Sequence, residues 1–112
     1  MSSCITDIPV TEDGEYTLTH PNGKVQSKIS VKDGLLHGKK TEYDIHGNLV
    51  AEFNFKEGNI HGIVKSYHPN GKKFTIKHYR NNKLNGYYTK YNEAGKEILK
   101  MIYNNNKVVK EF

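Results

Sequence analysis

The chain is short of the things that usually announce a function. It has one cysteine, Cys4, so no disulfide can form within its 112 residues. A reducing compartment is therefore the expectation. It has no tryptophan, three prolines and only 35% hydrophobic residues, with Ile, Leu, Val and Phe thinly supplied. That leaves little for a large core, and a single small domain is expected. No apolar run reaches membrane-spanning length. The start, Met1-Ser2-Ser3-Cys4-Ile5-Thr6-Asp7, has neither the basic nor the apolar segment of a secretory signal. The expected location is the cytoplasm. No segment repeats apolar residues at helical spacing, and no Gly-rich loop leads into a helix that could cradle a phosphate.

What is present is periodic. Glycines fall at Gly23, Gly47, Gly71 and Gly95, each 24 residues after the last. Val31, Phe55, Tyr79 and Tyr103 keep the same interval, as do Gly38, Gly62 and Gly86, and Tyr43, Tyr67 and Tyr91. A fixed period of this length means one supersecondary unit copied along an array. Each period divides at two kinds of turn. One kind ends in glycine, as in His20-Pro21-Asn22-Gly23 and His68-Pro69-Asn70-Gly71. The other is Asp33-Gly34, Glu57-Gly58, Asn81-Asn82 or Asn105-Asn106. Such pairs tolerate the positive φ of tight hairpins. Between turns the residues alternate in character, as in Leu49-Val50-Ala51-Glu52-Phe53-Asn54-Phe55, the period-two mark of strands.

The fold expected is all-β: one elongated antiparallel β-meander of about nine strands. They lie near 14–20, 24–32, 37–44, 48–56, 61–68, 72–80, 85–92, 96–104 and 107–112. Residues 14–112 form the repeat domain, and 1–13 an N-terminal tail or cap. Because 24 is even, odd positions (Ile29, Val31, Phe53, Phe55, Ile63, Tyr79, Tyr87, Tyr103 among them) are expected to share one structural face. Even positions are polar early and apolar late. Val64, Phe74, Ile76, Tyr88, Ile98 and Ile102 then make a second apolar patch, the expected partner-binding surface.

The modules Tyr67-His68-Pro69-Asn70-Gly71-Lys72, Tyr79-Arg80-Asn81-Asn82-Lys83-Leu84-Asn85-Gly86 and Phe55-Lys56-Glu57-Gly58-Asn59-Ile60-His61-Gly62 resemble the MORN repeat variant. The likeness runs over roughly residues 14–110. It departs at Thr19, which stands where later copies have an aromatic, and at Lys110, which stands where they have glycine. Bacterial chains built only of such repeats resemble the YwqK-type antitoxin group, which implies a non-enzymatic protein-binding module that neutralises a toxin. Longer MORN proteins act as scaffolds, which implies an alternative role on anionic phospholipid surfaces. The family pattern supplies no catalytic residue.

The remaining residues suggest no other chemistry. His37 and His61 share a repeat position with Asn85, and His20 and His68 share one with Asp44 and Asn92. Exchange with Asn and Asp fits polar turns rather than metal ligands, which must converge in threes and fours. No catalytic, cofactor or metal site is expected. Cys4 reads as an incidental thiol. The formal charge of +5 comes from 17 Lys/Arg with no Arg-rich cluster, and lysines scattered over strands guard against edge aggregation. Nucleic acid is an unlikely partner on this composition, and self-association through the apolar patch is a further possibility.

Overall fold

The computed structural model describes residues 12–112; Cys4 and most of the expected tail lie outside the described residues. Eleven strands form one open, wholly antiparallel sheet. They are β1 (Gly14–Thr19), β2 (Val25–Lys32), β3 (Leu35–Leu36), β4 (Gly38–Tyr43), β5 (Leu49–Lys56), β6 (Asn59–Ile60), β7 (Gly62–Tyr67), β8 (Lys73–Arg80), β9 (Lys83–Tyr91), β10 (Glu97–Asn104) and β11 (Lys107–Glu111). Nine of them follow one another across the sheet, matching the nine expected. The other two, β3 and β6, are two-residue strands attached to β2 and β5. They exist because the turns before them have only two residues, so pairing resumes at once. In the third copy the short and long pieces merge into the single β9.

The turn chemistry explains the meander. Asp33 and Gly34 (φ 53° and 78°), Glu57 and Gly58 (51° and 83°), Asn81 and Asn82 (48° and 70°), and Asn105 and Asn106 (49° and 69°) all lie in the left-handed region. Two consecutive positive φ values make the hairpin turn whose twist matches that of the strands. At the opposite sheet end, His20, Asp44, His68 and Asn92 each close a turn by accepting from the glycine three residues on, at 2.9–3.0 Å.

Register fixes the two faces. Leu18 lies opposite Ser27, Ser27 opposite Glu42, Glu42 opposite Ala51, and Ala51 opposite Ser66. Every such pair joins an even residue to an odd one. Parity is kept from copy to copy, but from β1 to β10 it reverses between neighbouring strands, so the expected division into an odd and an even face does not hold. The two-residue turn pairs residue n with n+3, as Lys32 with Leu35. Across the four-residue turns pairing starts in like parity, as Thr19 with Val25, and a one-residue bulge then makes the same reversal.

One face carries Tyr16, Leu18, Ser27, Ile29, Val31, Lys40, Ala51, Phe53, Phe55, Val64, Thr75, Lys77, Tyr79, Tyr88, Lys90, Met101 and Tyr103, none of them exposed. It holds seven of the eight buried side chains among the described residues, Thr89 being the exception. Ile29, 1% exposed, is the most enclosed. We call this the inner face. The molecule measures 44 × 31 × 20 Å. A flat single sheet is only about 10 Å thick, so the extra depth reflects twist.

Candidate interaction surface

The register divides the six residues expected to form one patch. Val64 and Tyr88 lie on the inner face, with Val64 buried. Ile76, opposite Lys65 and Thr89, and Ile102, opposite Tyr87, lie on the outer face. Phe74 and Ile98 sit at register shifts, where an extra residue kinks the strand. Phe74 packs on His68 at 4.6 Å between ring centroids, and the inner-face Lys90 lies 5.3 Å above its ring. Ile98 is exposed. The six therefore do not make a contiguous patch.

A different surface takes its place on the outer face of the later strands. Ile63 lies opposite His78, and Tyr87 opposite Ile102, which in turn faces Lys110. His78 Nδ1–H donates to the Tyr87 carbonyl at 3.0 Å, and the two rings meet edge to face. Phe112 folds back on this stripe: its N–H donates to the Lys100 carbonyl at 3.0 Å, and its ring lies 6.4 Å from that of Tyr87. Ile63 is 39%, Tyr87 46% and Phe112 64% exposed. Parity alone places Ile63 and Tyr87 on the structural face, and the register puts both on the outer one. Counting across the two-residue turns would have placed them correctly. The return of Phe112 has no local signal.

Charge follows the same division. Residues 62–112 hold 11 of the 17 Lys/Arg but only three of the 12 Asp/Glu. Among the described residues the ion pairs are Lys39–Glu52 and Lys40–Glu42, both in the first half. Two periods later the positions of Glu42 and Glu52 are taken by Lys90 and Lys100. Lys100 Nζ lies 4.9 Å above Tyr87 and 5.4 Å above Phe112, and Lys110 Nζ is 4.8 Å above Phe112. The aromatic faces hold these ammonium groups while leaving them open to an anionic partner.

The histidines are used to hold backbone. His20 Nε2–H donates to the Tyr43 carbonyl at 2.9 Å and His68 Nε2–H to the Tyr91 carbonyl at 2.8 Å. Asn22 and Asn70 reach Ile45 and Glu93 in the same way. The turns at Asp44 and Asn92 instead cap themselves through their own side chains. Upper turns are thus joined in pairs, first to second and third to fourth. Among the described residues no three His, Cys, Asp or Glu side chains converge as metal ligands would.

The profile of the MORN repeat variant family matches residues 12–33 and 60–81. The two matches start 48 residues apart, the two-period interval at which the pairing of turns recurs. They cover well under half of the chain. Repeats of this kind are generally binding modules for proteins or membranes. No match was found among curated proteins.

Proposed function

We propose that this chain is a non-enzymatic protein-binding module acting through the outer face of β7–β11. The observation that carries this reading is the stripe Ile63–His78–Tyr87–Ile102–Phe112. It is largely apolar and contiguous across neighbouring strands, with Ile63, Tyr87 and Phe112 exposed and His78 and Ile102 half-buried, which is how interaction sites differ from ordinary surface. Aromatic anchors ringed by lysines have the make-up of an interface centre with a polar rim. Of the residues expected from sequence, Ile76 and Ile102 belong to this surface.

The narrower reading is an antitoxin or immunity role, in which the sheet covers the active surface of a toxin in the cytoplasm. The MORN repeat variant match and the exposed aromatic residues of the outer face motivate it. Its test is reconstitution: the product of a neighbouring gene is purified and mixed with this protein. A one-to-one complex that silences the toxin and is lost on Tyr87→Asp is expected. A silenced toxin whose complex tolerates Tyr87→Asp would move the site elsewhere.

The charge division favours a second reading, attachment to anionic membranes through Lys65, Lys100 and Lys110. Binding of that kind weakens steeply with salt. Co-sedimentation with vesicles containing phosphatidylserine, compared at low and high salt, separates it from a protein interface anchored by Tyr87 and Phe112.

A further inference from the structure

The two-residue turns stack beside one another along the lower sheet end and leave clefts between them. The cleft between the second and third of these turns is about 420 Å³ and is lined by Lys56, Glu57, Asn59, His61, Arg80 and Asn81. We propose that this cleft binds a phosphate-class oxyanion, a phosphomonoester or inorganic phosphate. Its cations are Lys56 and Arg80, the one arginine of the chain. Neither forms an ion pair among the described residues. Arginine offers a planar fork of donors suited to such an anion, and lysine a mobile point charge.

His61 adds a neutral donor. Its Nδ1 accepts the N–H of Asn81 at 3.3 Å. That bond places the ring proton of the neutral imidazole on Nε2, leaving an N–H donor on the ring's far side. The same repeat position is Asp13 two copies earlier. There the Asp13 carboxylate accepts the equivalent turn amide, Asp33 N–H, at 2.7 Å. A carboxylate oxygen thus occupies in the first copy the place that the His61 imidazole takes in this one.

Comparison of copies makes the site particular. The equivalent cleft one period earlier is lined by Lys32, Asp33, Leu35, His37 and Glu57. It sets two carboxylates against one lysine. In the later cleft Asn81 replaces the second carboxylate and Arg80 supplies a second cation, so only Glu57 opposes the anion. Nothing in the fold requires this exchange, since asparagine and acidic residues serve equally in the turns. The inference is independent of the outer-face surface.

The experiment is an amide and side-chain NMR titration of the whole chain with inorganic phosphate at constant ionic strength. Saturable shifts confined to Lys56–His61 and Arg80–Asn82 are expected. Arg80→Gln and Lys56→Gln should each weaken binding about tenfold, the size of one charge-assisted hydrogen bond. Glu57→Gln should tighten it, and Lys32→Gln in the earlier cleft should leave it unchanged. A parallel arm uses neutral vesicles doped with a phosphomonoester lipid. Sedimentation that Arg80→Gln abolishes identifies a lipid headgroup as the source, whereas phosphate binding without sedimentation identifies a soluble one. Unsaturable shifts spread over all lysines, or saturable binding indifferent to Arg80→Gln, would overturn the proposal.

Discussion

The Tyr67 hydroxyl donates a 2.6 Å hydrogen bond to the Glu52 carboxylate across the outer face. Burial and then this carboxylate push the Tyr67 pKa up to about 12. An unfolded tyrosine loses its proton near pH ~10. Between those values the unfolded chain binds fewer protons than the folded one, so stability falls as pH rises. Tyr79, raised in the same direction by burial, adds to the fall. Urea unfolding followed by circular dichroism between about pH 9 and about pH 12, the span of the two titrations, should show this slope. Tyr67→Phe should make it shallower, while costing roughly 1 kcal/mol at neutral pH for the lost hydrogen bond.

Thr41 sits opposite Lys28 and Glu52, and its hydroxyl is buried with no hydrogen-bond partner among the described residues. A buried unsatisfied hydroxyl is unfavourable. Valine has nearly the same shape and suits a strand. Thr41→Val should therefore raise stability by about 0.5–1 kcal/mol, read as a shift in urea midpoint with unchanged slope. A loss of stability would show that the hydroxyl has a partner in solution.

Gly86 has φ 116°, and a Cβ built there would lie 3.1 Å from the Cβ of His78. Gly38, one repeat position in common with it, has φ 80° and open space around that point. Both alanine variants incur backbone strain of about 1 kcal/mol or more. Gly86→Ala must also displace His78, whose ring holds the Tyr87 carbonyl. It should lower the melting temperature more than Gly38→Ala and also disturb the outer-face stripe, visible as shifted Tyr87 resonances.

These positions show what the sequence made legible. The 24-residue spacing and the Asp-Gly and Asn-Asn pairs led directly to the meander, because turn conformation is local chemistry. Faces were less accessible. Even spacing correctly keeps Leu18, Glu42, Ser66 and Lys90 on one side, but side-by-side strands are related through their turns, and parity reverses through the length of each two-residue turn and through a bulge beside each four-residue one. Ile63 and Tyr87 lie on the outer face for that reason. The shared role of Asp13 and His61 as acceptors for turn amides needed three-dimensional neighbours, since each partner lies 20 residues away. Phe112 is further removed still from sequence reading: its place over Lys100 and Lys110 depends on β11 pairing with β10.

The face assignment itself has a direct test in two truncations of opposite kind. Ile29 lies on the inner face, 1% exposed, opposite Tyr16. Removing its side chain leaves a cavity that a half-buried sheet refills poorly, so Ile29→Ala should cost about 2–5 kcal/mol. Tyr87 is 46% exposed on the outer face. Tyr87→Ala forfeits contacts with His78, Lys100 and Phe112, all of them at the surface, and should cost under about 1 kcal/mol. Partner binding should respond in the reverse order, with Tyr87→Ala severe and a correctly folded Ile29→Val unaffected. Chemical denaturation and a binding assay on the same three proteins check both halves. If Tyr87→Ala unfolds the chain as readily as Ile29→Ala, the outer stripe is core and the interaction surface lies elsewhere.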